Sequence, residues 1–308
     1  MSEMNEPGLI LNLLKPPGMT SHDVVDVVRR VSGEKRAGHA GTLDPAAAGV
    51  LVVMTGRCVR LSPYLMAYDK RYRLEVTFGV ATATGDAQGA VTARMDASSI
   101  TESRVAEALG SLVGVVLMKP HRFSAAKVKG HKAYELARRG EEPELAERAV
   151  TIHEVRMINF EPGARATAMI DVHCGKGTYV RSLAEMLGDR VGNCAHASFV
   201  LRTQVGPMGL QEAVTLEELE EAGQAQRLAE VAVRVRVALA GYRHITISAE
   251  QARRLEAGTP LPMANLGRLG DVVAVWGPDG AFVGMGEVRG GHPQVLQPRC
   301  ILYKGGRA

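Results

Sequence analysis

The stretch RAGHAGTLDPAAAGVL (Arg36–Leu51) sets three glycines, Gly38, Gly41 and Gly49, with His39 and the pair Asp44-Pro45, directly before an apolar run. Local chemistry leaves two readings of Asp44 level. An Asp followed by Pro is a favoured helix start, with Asp as the cap and Pro at the first helical position. Equally, so many small residues let another chain approach the backbone closely, and a carboxylate on such a turn is open to a bulky substrate. The run that follows, GVLVVMTG (Gly49–Gly56), reads as a strand.

Outward from this stretch the chain alternates between strand and helix patterns without a regular βαβ repeat. GLILNLLK reads as a buried strand ended by a Pro-Gly turn, and SHDVVDVVRRVSG as a helix with Ser21 as cap, a valine stripe and Gly33 as the stop. KRYRLEVTFGV alternates as a strand, ATATGDAQGAV reads as a hairpin loop, and TESRVAEALGSLVG as a Thr-capped helix. KAYELARRG reads as a short helix closed by Gly140. RAVTIHEVRMINFEP and RATAMIDVHCG form a strand pair, GTYVRSLAEMLGDRVG turns helical, and Gln211–Glu230 reads as an acidic, solvated helix. After Ala240 the texture shifts to short strands and a Pro-Asp-Gly turn. The expected class is α+β: a mixed central sheet flanked by helices over 1–240, then a small β-rich domain over 241–308.

Bulk properties narrow the function. Of 308 residues, 46% are hydrophobic, enough for a packed core, and the formal net charge of +4 leans mildly toward a polyanionic partner. No apolar run of about 18 residues occurs and the first residues are acidic, so neither a membrane span nor a signal peptide is expected, and the protein reads as cytoplasmic. Four scattered cysteines make no disulfide framework. His173, Cys174, Cys194 and His196 match no common zinc spacing, and neighbours on a strand face opposite ways, so no metal is expected.

Three further clusters carry chemistry. Tyr72 lies between Arg71 and Arg73 on an alternating strand, so the arginines share one face and Tyr72 the other. That is either a surface strand with a core tyrosine or an aromatic platform for a base. Arg181 falls at a strand-to-helix transition, as a surface arginine or as a buried partner for a carboxylate. Between Lys119 and Arg139 stand seven Lys/Arg against the single acid Glu135, with Phe123 and Tyr134 interleaved, a pattern that favours a nucleic-acid surface over a merely solvated face.

Taken in order, KPPGMTSHDVV (15–25), GHAGTLDPAAAGVL (38–51), KRYR (70–73), FGVATATGDAQG (78–89), FSAAKVKGHKAYELARRG (123–140), KGTYVR (176–181) and HASFVLRT (196–203) closely resemble the TruB family of bacterial tRNA pseudouridine synthases. The likeness spans residues 10 to about 205. Beyond it, the C-terminal region resembles the family's PUA-type RNA-binding module more loosely. Departures are Ala48 for the usual Thr or Ser, KPHRFSA for the usual Pro-Met-Tyr-Ser, and Thr203 for a second arginine.

The resemblance implies conversion of uridine-55 in the tRNA T loop to its C-glycoside, by base flipping and without cofactor or metal. It implies Asp44 as nucleophile, Arg181 as its partner and Tyr72 stacked on the uracil. His39 would fill the vacated space and Leu201 would pack on the base. Lys15 would orient the catalytic turn, and Tyr179 would join the substrate contacts. Lys127, Lys129 and Lys132, on a thumb-like segment near 119–150, would hold the T-arm backbone. A monomer binding tRNA without guide RNA is expected. Three rivals are weighed: a guide-RNA-dependent synthase, a non-catalytic tRNA-binding or folding chaperone, and a glycosidase. The last needs a second carboxylate near Asp44, which the motif does not supply.

Overall fold

Hydrophobic patterning and a few buried polar contacts account for how the chain is laid out. The computed structural model describes residues 8–121, 123, 127–128, 131–133, 136, 139, 141, 145–291 and 293–302. KAYELARRG and the segment around it fall largely outside them.

The first half of the chain gives β1 (Ile10–Lys15), α1 (Ser21–Ser32), β2 (Ala37–His39), β3 (Ala48–Thr55), α2 (Ser62–Met66), β4 (Lys70–Phe78) and the hairpin β5 (Val80–Thr82) with β6 (Val91–Arg94). Next come α3 (Glu102–Gly110), β7 (Gly114–Met118), the pair β8 (Lys127–Val128) and β9 (His131–Lys132), β10 (Arg148–Glu161) and β11 (Thr167–Cys174). Then follow α4 (Val180–Arg190), β12 (Ala195–Val205), β13 (Met208–Gly209), α5 (Leu216–Gln224) and α6 (Val235–Ala238). Among the described residues the central sheet has nine strands, in the order β1-β3-β12-β4-β11-β10-β7, with β2 on β3 and β13 on β12. Its pairs are antiparallel except β12 with β3, which makes the sheet mixed, as expected.

Period-two burial along β4 and β11 puts Tyr72, Leu74, Val76, Ile170 and Val172 in one core, which α3 and α4 cover with Val105, Leu109, Leu183 and Leu187. Around β1 and β3, Leu11, Leu13, Leu51 and Val53 meet Val24, Val25 and Val28 of α1. Helix α1 is capped one residue earlier than the sequence suggested. Thr20 accepts the Asp23 N–H, and the Asp23 carboxylate accepts the Thr20 N–H, a closed capping box. Gly33, at φ +68°, ends the helix as expected. Ser21 is thereby freed for a tertiary contact, accepting the Leu43 N–H and donating to the Leu43 carbonyl at 2.8 and 2.9 Å.

The acidic stretch 211–230 is helical only over α5. It is not fully solvated: Leu219 and Ala222 are buried, with Leu219 in the α1 core, because the leucine pattern forms an amphipathic stripe opposite the glutamates.

The C-terminal sheet holds β14 (Arg243–Thr246), β15 (Leu261–Met263), β16 (Val272–Trp276), β17 (Phe282–Arg289) and β18 (Gln294–Ile301), in the order β14-β16-β17-β18-β15, with α7 (Ala249–Glu256) against it. One core lies within this unit, around Leu255, Val273, Val275, Val283 and Leu296. Its other apolar face is shared: Trp276, Phe282, Met285 and Leu302 pack with Ile10, Met54, Leu61 and Leu65. Arg57 and Arg60 also donate to the Leu302 and Ile301 carbonyls at 3.1 and 2.6 Å.

Cutting the chain after Ala240 is therefore expected to destabilise residues 1–240 by at least about 5 kcal/mol, since several large side chains lose their cover. Thermal melting and binding of a hydrophobic dye would check this. A truncated protein melting with the full chain would contradict the shared core.

Candidate active site

Asp44 caps no helix. The Ala47 N–H donates to the Asp44 carbonyl at 3.1 Å, closing a reverse turn with Pro45 at its second position, and the chain passes straight into β3. The valine-rich run behind the turn prefers a strand in the sheet core to a helix. Of the two readings of this aspartate, the presented carboxylate is the one the fold adopts.

The turn is held from several sides. Ser21 grips Leu43, and the Gly18 N–H donates to the Pro45 carbonyl at 2.8 Å. Lys15 is fully buried, and its ammonium donates to the carbonyls of Pro16, Met19 and Pro45 at 2.8, 2.6 and 3.3 Å. Burial lowers the Lys15 pKa to about 8, against the opposing charge of Asp44.

Arg181, in the first turn of α4, crosses to Asp44 as a two-point fork: Nε to Oδ2 at 2.7 Å and Nη2 to Oδ1 at 2.9 Å. Both carboxylate oxygens accept, which is the arrangement of an ionised carboxylate. The remaining guanidinium hydrogens go to the Phe123 carbonyl from Nη2 at 3.0 Å and to the Thr84 carbonyl from Nη1 at 2.7 Å, with Asp86 Oδ2 at 3.5 Å from Nη1. The Arg181 side chain is 5% exposed and that of Asp44 34%. The arginine is therefore scaffold and the carboxylate is the reachable group.

Asp86 is a second buried carboxylate on the same guanidinium, which the sequence reading missed. Its loop, TGDAQ, carried a hairpin signal and nothing more. The Asp86 carboxylate is fixed by the Thr84 hydroxyl and the Gln88 N–H at 2.6 and 3.1 Å. Burial pushes the Asp44 carboxyl above the ordinary range, the Arg181 charge pulls it back, and Asp86 adds to the rise.

Tyr72 lies in the core, directly across from Arg202 on β12, and burial pushes its phenol pKa up against the lowering effect of the Arg202 charge. Arg71 and Arg73 take the opposite face. Arg73 forks onto Asp171 at 2.8 Å twice and Arg71 faces Glu154 at 3.7 Å, so both are paired with acids on the outer side. Leu201 neighbours Ala48 across β3, and His39 ends β2 opposite Val53. Tyr179 is the N-cap residue of α4, its N–H directed at Met118 Sδ. Lys127 and Lys132 are backbone register partners in the β8–β9 pair, and Lys129 lies outside the described residues.

His173, Cys174, Cys194 and His196 do not gather: Cys174 is buried with its thiol at the Lys70 carbonyl, and His196 Nδ1 lies 2.9 Å from the Val80 carbonyl. Among the described residues, Asp69, His153 and His173 do bring ligand atoms within 4.8 Å of one another. However, Arg71 Nη2 stands 3.3 Å from His173 Nδ1. An arginine N–H only donates, so this contact sets a cation against the ring nitrogen, while His153 Nε2 lies 3.1 Å from Asp69 Oδ2 and His173 Nε2 4.0 Å from it.

Residues 29–180 match the family described as "TruB family pseudouridylate synthase (N terminal domain)". A tRNA pseudouridine synthase B of Symbiobacterium thermophilum is 51% identical over 249 residues, 81% of each chain. One of Pelotomaculum thermopropionicum is 43% identical over 88% of each. Among solved structures, an archaeal box H/ACA sRNP Nop10-Cbf5 complex superposes with a TM-score of 0.74 at 20% identity, covering 96% of this chain and 86% of that one, a likeness of fold.

Two substitutions test the electrostatics. Because Asp86 raises the Asp44 pKa, Asp86→Asn should move the acid limb of a pH–rate profile to lower pH, the ionised carboxylate persisting further down. A limb that stays put or moves up would contradict the coupling. Arg181→Lys keeps the charge and loses the fork, so turnover should fall by roughly 10²-fold or more. A comparison of single-turnover rates would check it.

Proposed function

Since this chain belongs to the TruB family of pseudouridylate synthases and is a pseudouridine synthase, we propose that it acts alone on tRNA, isomerising uridine-55 of the T loop with Asp44 as nucleophile. The observation that carries the assignment is the two-point Arg181–Asp44 fork: a fixed, ionised and reachable carboxylate in an otherwise buried setting.

The reaction breaks the C1′–N1 bond, turns the uracil and joins C5 to C1′, while C5 gives up a proton and the freed N1 takes one up. Nothing is oxidised or reduced, so a nucleophile and a proton path suffice. Asp44 serves in any of three courses, attack on C1′, attack on C6 or assisted elimination at the sugar, and each needs the same ionised oxygen. Tyr72 stacks on the base. Its phenol, held protonated by burial, relays the C5 proton, one hydrogen arriving on the oxygen as its own passes to water, from which N1 is protonated. Flipping the uridine costs on the order of a few kcal/mol. His39 fills the vacated space, while Leu201 and Tyr179 pack around the base.

Lys127, Lys129 and Lys132, in the thumb-like segment near 119–150, hold the T-arm backbone. The PUA-like unit, 241–308, extends the contact toward the acceptor stem, on a monomer. A concavity of about 990 Å3 between the body and the C-terminal sheet has a mostly apolar lining, around Val59, Tyr64 and Met66, with Arg60, Arg148, Lys176 and Arg299 as cations able to meet phosphates. The stand-alone reading is preferred to a guide-RNA-dependent one because relatives at 37–51% identity over most of the chain are named tRNA pseudouridine synthase B. A glycosidase reading meets Asp86 as a second carboxylate, but that group is bound to Arg181 rather than placed as a free acid.

Asp44→Asn should abolish tritium release from C5-labelled uridine in a T-arm stem-loop while leaving tRNA affinity within about twofold, since the amide keeps shape and loses the attacking charge. Near-normal release would remove Asp44 from the chemistry. Release mapped to a different uridine would move the substrate assignment.

A further inference from the structure

One buried cation has no part in the mechanism above. Arg202 sits in the centre of the sheet, 1% exposed, opposite Tyr72 on β4 and opposite Gly49 on β3. Its guanidinium reaches away from its own strand and donates to three main-chain carbonyls: Val50 at 2.7 Å, Thr42 at 3.2 Å and Gly41 at 3.2 Å. Two of these acceptors lie within three residues of Asp44 on its turn, and the third is at the start of the strand that leaves it. β3 comes so close that a Cβ on Gly49, whose φ is +112°, would lie 2.2 Å from the Arg202 carbonyl oxygen. The same guanidinium stands against the Tyr72 phenol, whose pKa it lowers.

Burying a cation is costly unless every hydrogen finds an acceptor. An apolar side chain would fill a central strand at less cost, so what this arginine contributes is fixed geometry. We propose that Arg202 is a positioning residue that locks the Asp44 turn in register with Tyr72, so that the nucleophile and the proton relay keep one spacing through the cycle. Arg181 orients the carboxylate from the α4 side. Arg202 fixes the backbone that carries it, from β12. The planar guanidinium spans the adjacent Gly41 and Thr42 carbonyls from its two Nη atoms while Nε holds Val50, and a lysine on the same strand position would keep the charge but lose this fixed fork.

The inference rests on Asp44 and Tyr72 acting as proposed above, and the experiment keeps the two apart. Wild type, Asp44→Asn, Arg202→Lys and Arg202→Met are compared by thermal melting, by affinity for a T-arm stem-loop and by single-turnover tritium release. The Tyr72 phenol is titrated by NMR of Cζ-labelled tyrosine. For Arg202→Lys the expectation is a rate loss of about 10²-fold with affinity kept within about twofold, since small misplacement of reacting groups costs rate and not binding. The lysine keeps the charge, so the phenol should titrate close to wild type. Arg202→Met removes the charge as well, and where it folds the phenol pKa should rise further.

Arg202→Lys turning over within about threefold of wild type, or losing affinity in step with rate, would overturn the proposal. If Asp44→Asn is inactive in the same assay, that failure belongs to Arg202 alone. If Asp44→Asn remains active, the assignment of the nucleophile falls and takes this inference with it. Should Arg202→Met not fold, the lysine variant decides.

Discussion

The interaction on which the candidate site depends is the set of bonds made by one buried guanidinium, that of Arg181. The hydrogens of Arg181 are directed at Asp44, Asp86 and the carbonyls of Thr84 and Phe123. These partners come from three separate stretches of chain, so the fork cannot form until β3, the β5–β6 hairpin and α4 are all in place. Burial raises the Asp44 pKa, and the permanent cation of Arg181 opposes that rise and favours the ionised carboxylate. The site therefore stands on a balance in which two acids share one base.

A second theme is the use of buried cations to bind backbone rather than carboxylates. Lys15 donates to three carbonyls around the Asp44 turn. Lys70 meets the carbonyls of Met66 and Tyr68. Arg202 gathers three more carbonyls beneath the same turn. A turn rich in small residues has little side-chain packing of its own, and charge-assisted bonds to its carbonyls replace that packing with fixed distances. The glycines supply close approach and the cations supply rigidity.

The C-terminal sheet extends this logic to the whole chain. Its Trp276, Phe282 and Met285 complete the core that backs Ile10 and Met54 on β1 and β3, the strands that carry Lys15 and follow Asp44. The C-terminal sheet thus also stiffens the strands behind the Asp44 turn.

Much of this was legible from the residues alone. Alternation in KRYRLEVTF fixed Tyr72 as inward and its arginines as outward, because strand geometry allows no other assignment. The valine stripe and Gly33 marked α1, and ordered motifs named the family. Asp44 stayed ambiguous, since an Asp-Pro pair begins helices and turns alike, and only the sheet partner of β3 chooses between them. Asp86 and Arg202 could not be read at all. A carboxylate in a hairpin loop and an arginine in a strand look ordinary until the fold brings Arg181 from 95 residues away and the Asp44 turn from about 160. Periodicity reports which face is buried. Which buried charge meets which partner is settled by long-range packing, where desolvation makes every unpaired charge costly enough to select a single arrangement.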